Sequence, residues 1–160
     1  IGATNVLRTG NKSLALLTLI LDSGKGVITL LLTSNLFENE IALISGFTAV
    51  LGHNFPIWLK FSGGKGVATT FGVLLVAAWP IGLGVCVTWF LVAIIFRYSS
   101  LSALIAMGAA PLYSWLAGLN NVSILAGVLC IICFASHQKN IRNLFNGLEP
   151  KITTIKKKKN

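Results

Sequence analysis

Long apolar runs separated by short polar segments organise the chain. Residues 14–34, 41–53, 101–117 and 122–136 are apolar, and residues 67–96 form one hydrophobic block. At about 1.5 Å per residue that block is too long for one straight helix across a hydrocarbon core of about 30 Å. Trp79-Pro80 stands near its middle, where proline cannot continue a preceding helix. The pattern therefore predicts two short helices joined by a tight turn, with a single kinked, tilted helix as the other placement of the same residues. Ser13 is positioned to cap the first long helix. The polar interruption Asp22-Ser23-Gly24-Lys25-Gly26 lies inside that helix, and Asp22 and Lys25, three apart, share a face on which they can pair. Pro111 falls within the run 101–117, and Gly118-Leu119-Asn120-Asn121 reads as a turn. Six spans result, in an all-α, polytopic integral membrane helical bundle with several short or broken helices. They form a single membrane-embedded domain over 1–160, of which 151–160 is a basic tail.

Composition strengthens this reading. Of the 160 residues 54% are hydrophobic and 11% charged, against about 25% charged in a soluble domain. The formal net charge of +9 would suggest nucleic acid in a soluble protein, but a basic surface interleaved with aromatic residues is missing and no nucleic-acid partner is expected. The cations instead follow topology. With both ends inside, the segments 1–13, 54–66, 97–100 and 137–160 face the cytoplasm and hold every one of the 13 Lys and Arg except Lys25, while Glu38 and Glu40 lie outside. The run Lys156–Lys159 reads as a solvated tail attracted to anionic membrane lipid.

The same topology points the N-termini of the spans starting near 14, 67 and 101 at the cytoplasm. Arg8, Lys65 and Arg97 stand beside them, so positive helix ends and positive side chains share one surface suited to more than one phosphate. The centre of that surface is 52–69, a polar, glycine-rich island containing His53, Asn54, Pro56 and Gly63-Gly64-Lys65-Gly66. Glycines let backbone N–H groups approach an oxyanion, and Lys65 supplies charge. It is not a P-loop: Leu59 stands where the first glycine belongs, and Gly66 where the lysine needs Ser or Thr to follow. Upstream, Arg8 offers a guanidinium fork for phosphate. Downstream, His137 and Asn140 share a helix face that Gly147 can terminate.

Other chemistry is excluded. His53, His137, Cys86, Cys130 and Cys133 have no metal-ligand spacing, so neither metal nor cofactor is expected. Cys130 and Cys133 have redox spacing but lie in an apolar run without cationic neighbours, where thiols are inert. Neither histidine is followed by an acidic residue at the spacing of a charge-relay acyltransferase, and no Gly-x-Ser-x-Gly elbow occurs.

Three segments carry a resemblance: Ile1-Gly-Ala-Thr-Asn-Val-Leu-Arg8; Gly52-His-x-x-Pro-x-x-x-x-Phe-x-Gly-Gly-Lys-Gly-Val-Ala-Thr69; and His137-x-x-Asn-Ile-x-x-Leu-x-x-Gly-x-Glu149. In order and spacing they resemble the three cytoplasmic motifs of the bacterial acyl-phosphate:glycerol-3-phosphate acyltransferases, the PlsY family. Asp22-x-x-Lys25-Gly26 and Arg97-Tyr98-x-Ser100 also look like family features. The resemblance implies a seven-span enzyme of the bacterial inner membrane, with one further span and a glycine- and serine-rich motif start before Ile1. It implies transfer of an acyl chain from acyl phosphate to the 1-hydroxyl of glycerol 3-phosphate, giving lysophosphatidic acid and phosphate for phospholipid synthesis, without an obligate protein partner. By resemblance Arg8, Lys65, His137 and Asn140 are catalytic, Asn5, His53, Gly63, Gly64, Thr69 and Ser100 bind substrate, and Glu149 supports the third motif. The alternative is a small transporter or channel for organic phosphates, which broken helices and cationic helix ends also suit. A further one is a scaffold whose basic face binds lipid.

Overall fold

The computed structural model describes residues 2–152. Ile1 of the first motif and the run Lys156–Lys159 lie outside the described residues. A short helix α1 (Ala3–Arg8) precedes six longer ones, α2 (Lys12–Leu36), α3 (Asn39–Asn54), α4 (Val67–Ala77), α5 (Trp79–Phe96), α6 (Ser99–Leu116) and α7 (Asn120–Ser136), and α8 (Gln138–Phe145) follows. A 3-10 turn, Ile57–Leu59, lies between α3 and α4. Each expected apolar run forms its own helix.

Two local expectations come out differently from each other. The cap of α2 is Asn11, whose side chain accepts from the Leu14 N–H at 3.0 Å; Ser13 is already helical, so it is not the cap expected from sequence. The hydrophobic block does break where proline demands. Ala78 is extended (φ −159°), and Pro80 enters the first turn of α5, where its missing N–H costs nothing. The polar interruption leaves α2 unbroken, and Lys25 Nζ donates to Asp22 Oδ1 at 2.8 Å.

The bundle is apolar on both its inside and its outside. Leu30, Val50, Val73, Leu74, Val85, Met107 and Leu129 form the core, while Leu17, Ile20, Leu21, Leu32, Ile94, Ile95 and Ile131 stand exposed around it. Ser102 and Ser114 are buried instead, each returning its hydroxyl to a backbone carbonyl, of Tyr98 and Ala110. A surface of exposed aliphatic side chains over a core that includes hydroxyls suits hydrocarbon as solvent. By length and composition α2, the stretch Asn39–Leu59 and α5 are able to cross a membrane, and α7 with α8 makes a fourth if that pair, bent by 64°, counts as one. Helix α4, with 11 residues, extends only about 16 Å.

Close helix approach depends on small residues. A Cβ at Gly26 of α2 would lie 2.5 Å from the Thr69 carbonyl oxygen of α4. Gly26→Ala is expected to force the two helices apart and cost about 1–3 kcal/mol, read as a lowered unfolding midpoint in detergent; an unchanged midpoint would show that the contact yields freely.

Candidate functional site

The polar linkers converge at one end of the bundle around a cleft of about 590 Å³. Local rules build most of its wall. Helix α5 ends at Arg97, in the left-handed region (φ 64°), and turns the chain into α6, so that Ser99 and Ser100 face α1 and the third motif. Thr4 Oγ1 and Ser99 Oγ are 2.9 Å apart. At the other side Gly147 (φ 67°) closes α8 and brings Glu149 back beneath it. The Ile152 N–H then donates to the Arg97 carbonyl at 2.8 Å.

Glu149 is the hub of the cleft's polar wall. It is buried, and its Oε1 accepts from Ser100 Oγ at 2.6 Å and from Asn140 Nδ2 at 2.7 Å. The amide of Asn140 is thereby oriented, and its Oδ1 accepts from Lys65 Nζ. Burial pulls the Lys65 pKa below its ordinary value; Glu149 opposes that shift and Arg8 adds to it. A desolvated ammonium beside another cation is stabilised by an arriving anion.

The glycine island is more divided than its sequence suggests. The Gly63 and Gly64 amides donate to the Asn54 and His53 carbonyls, both at 3.1 Å, and side chains at either glycine would run into the end of α3. These two glycines therefore seat the loop on α3. The open donors lie one step on. Gly66 (φ 74°) caps α4 with no side-chain hydrogen bond, and the helical ladder begins only with the Thr70 N–H on the Gly66 carbonyl. The first-turn amides of α4 are thus available at a positive helix end, in a segment, Gly66–Ala68, that lines the cleft.

His137 links α7 to α8 and is buried. Its Nδ1 lies 2.8 Å from the Cys133 carbonyl oxygen. A carbonyl only accepts, so Nδ1 carries the proton and Nε2 keeps a lone pair. Burial lowers the His137 pKa to about 4, with the Cys133 hydrogen bond opposing and Lys65 adding to the shift. Between pH 6.5 and about 4 the unfolded chain binds this proton and the folded chain does not. Stability is therefore full above pH 6.5 and declines as pH falls toward 4, by about 3 kcal/mol. His137→Gln is expected to flatten that part of the stability–pH curve; an unchanged curve would assign the slope elsewhere.

Of the residues singled out in the sequence, Asn5, Arg8, His53, Gly63, Gly64, Lys65, Ser100, His137, Asn140 and Glu149 all line the cleft. Thr69 does not. It is fully buried, its hydroxyl finds no partner among the described residues, and its carbonyl faces Gly26. Residues 68 and 69 differ by about 100° around a helix, so Ala68 takes the cleft face and Thr69 the packing face. Missed from sequence were Thr4, Ser23 and Ser99, and an apolar half of the cleft made by Leu19 of α2, Phe71 and Leu75 of α4, and Cys86, Trp89 and Phe90 of α5. Nothing in uniformly apolar runs distinguishes those positions. Among the described residues no group of His, Cys, Asp and Glu could hold a metal ion.

Fold and surface define an all-helical integral membrane protein with a cationic cleft at one end that continues into an apolar slot. Comparison with known proteins supplies the family. The glycerol-3-phosphate acyltransferase family profile matches residues 1–147. Proteins of that name from Paramagnetospirillum magneticum and Rhodospirillum rubrum are 54% and 50% identical, each over 98% of this chain and over 78% and 76% of their own lengths. The crystal structure of PlsY (YgiH), an integral membrane glycerol 3-phosphate acyltransferase, in its glycerol 3-phosphate form superposes with a TM-score of 0.90 at 34% identity, covering 94% of this chain and 76% of that one. Its lysophosphatidic acid form gives 0.89. The chain belongs to the glycerol-3-phosphate acyltransferase family.

Proposed function

We propose that this protein transfers an acyl chain from acyl phosphate to the 1-hydroxyl of glycerol 3-phosphate, releasing lysophosphatidic acid and inorganic phosphate, at the cytoplasmic face of a bacterial inner membrane. The observation that carries the donor assignment is the two-part cleft. Its polar end combines Arg8, Lys65 and the open first turn of α4, and its apolar end runs between α2, α4 and α5. That division fits an amphiphile with an anionic head and a hydrocarbon tail. The names of the relatives and the two ligand forms of the structural neighbour support glycerol 3-phosphate as acceptor. The distribution of Lys and Arg supports the cytoplasmic placement.

Phosphate is a competent leaving group, so no acyl-enzyme nucleophile is needed. The task is to bring two anionic reactants together and to stabilise charge on the carbonyl oxygen and the departing phosphate, which cations and fixed N–H groups do. The glycerol hydroxyl attacks the carbonyl carbon directly, the C–O bond to phosphate breaks, and the hydroxyl proton passes to a substrate phosphate or to Nε2 of His137. Arg8, Lys65 and Asn140 hold the phosphates, while His53, Gly63, Gly64, Asn5 and Ser100 shape their seats.

The test is lysophosphatidic acid formation by the purified protein in detergent from acyl phosphate and glycerol 3-phosphate. Product that requires both substrates is expected. Glycerol 3-phosphate crossing sealed vesicles without acyl phosphate, and no product in detergent, would replace the enzyme with a transporter.

A further inference from the structure

We propose that Asp22 and Lys25 are positioning residues: they fix the tautomer and seat of His53, and through His53 the loop that receives the acyl donor's phosphate. The inference rests on the reading of that loop as a phosphate cradle.

Helical spacing on α2 places Asp22 and Lys25 on one face, 2.8 Å apart. They meet the last turn of α3, where Lys25 Nζ bonds to His53 Nδ1 and Asp22 Oδ1 stands 3.4 Å from the same nitrogen. An ammonium only donates, so Nδ1 accepts and the His53 proton sits on Nε2. Asp22, half-buried beside them, takes a second Lys25 proton and holds the ammonium in place. His53 thus has the opposite tautomer to His137, whose Nδ1 faces a carbonyl.

The consequence falls on the glycine loop. The His53 ring lies so close to Gly64 that a Cβ there would strike Nε2, Cε1 and Cδ2, and the His53 carbonyl accepts the Gly64 N–H. Ring and carbonyl together fix where the loop turns into α4. Nε2 makes no hydrogen bond among the described residues, and the side chain lines the cleft. Nε2 lies against Gly64, and His53 shares the cleft with Gly66–Ala68, so its N–H adds one more donor to the wall that receives the anion. Asp22 and Lys25 act through His53, as outer groups that orient a binding imidazole do elsewhere.

Imidazole nitrogen NMR on the chain in lipid nanodiscs tests the tautomer without any variant. The protein has two histidines, and His137→Gln assigns the remaining resonances. Expected is His53 with bare Nδ1 and protonated Nε2; a bare Nε2 on His53 overturns the proposal. Kinetically, Lys25→Met is expected to raise KM for acyl phosphate about tenfold, the loss of one charge-assisted hydrogen bond. KM for glycerol 3-phosphate and kcat are expected to hold, and Lys25→Arg to restore the donor KM. An unchanged donor KM, or a rise in both KM values together, overturns the proposal. Lys65→Ala run in parallel separates the two levels. Full turnover in that variant removes the cradle itself, whereas an inactive Lys65→Ala beside a neutral Lys25→Met removes only the role of Asp22 and Lys25.

Discussion

Replacing Lys65 by alanine is expected to lower kcat for acyl transfer by about 10²–10³-fold, the effect of removing one preorganised electrostatic donor. Lys65 stands where cradle and third motif meet, on a loop that ends in the open turn of α4, with its ammonium on Asn140 Oδ1. Burial has already lowered its pKa, so part of its desolvation is complete before substrate arrives. Its charge then acts on the departing phosphate in a site with little water to screen it. The fold is expected to survive, because Asn140 keeps its bond to Glu149. Lys65→Arg should recover activity only in part, since a planar fork does not reproduce a compact ammonium. The measurement is steady-state turnover with both substrates, alongside thermal unfolding. Normal turnover in Lys65→Ala would reduce the lysine to a topology anchor and withdraw the site assignment.

Glu149→Ala is expected to damage stability and turnover together. The carboxylate is buried and holds two donors, Ser100 at the start of α6 and Asn140 on α8. Hydrogen bonds to charged groups contribute about 1.5–3 kcal/mol each, and their loss leaves two polar groups to find other partners. A loss of about 3 kcal/mol is expected, with kcat falling because Asn140 no longer presents its carbonyl to Lys65. Glu149→Gln keeps one acceptor oxygen and should recover much of the stability. Thermal unfolding and turnover of the three proteins decide the matter. A Glu149→Ala protein as stable as the parent but inactive would make Glu149 a participant in the chemistry and remove its role as support.

Much of this was legible in the chain. Hydropathy located the helices because a bilayer demands runs of apolar residues whose backbone bonds close within the helix. Pro80 located the break between α4 and α5 because the obstruction is local. The Asp22–Lys25 pair followed from helical spacing alone. Motif order and cation placement identified much of the cleft's polar wall, and of the site residues they named only Thr69 lies off the cleft. That exception shows the limit. In a soluble helix one apolar stripe reports which face is buried, but α4 is apolar all round, so its rotation is not written in hydropathy.

By itself, then, the sequence determined the helices, their order, the charged end and the family motifs, all of which depend on local composition and spacing. Only the tertiary structure decided which amides of the glycine island are open, since those of Gly63 and Gly64 bond to the end of α3. It alone joined Ser100 to Glu149, 49 residues apart, and turned Lys25 toward His53. It also aligned Phe71, Leu75, Cys86 and Trp89 into one apolar slot. The physical reason is common to these cases. Inside a bilayer, lipid is as apolar as the core, and helix rotation is set by close packing at small residues such as Gly26 and by a few buried hydrogen bonds. Those terms exist only between helices, once the helices have met.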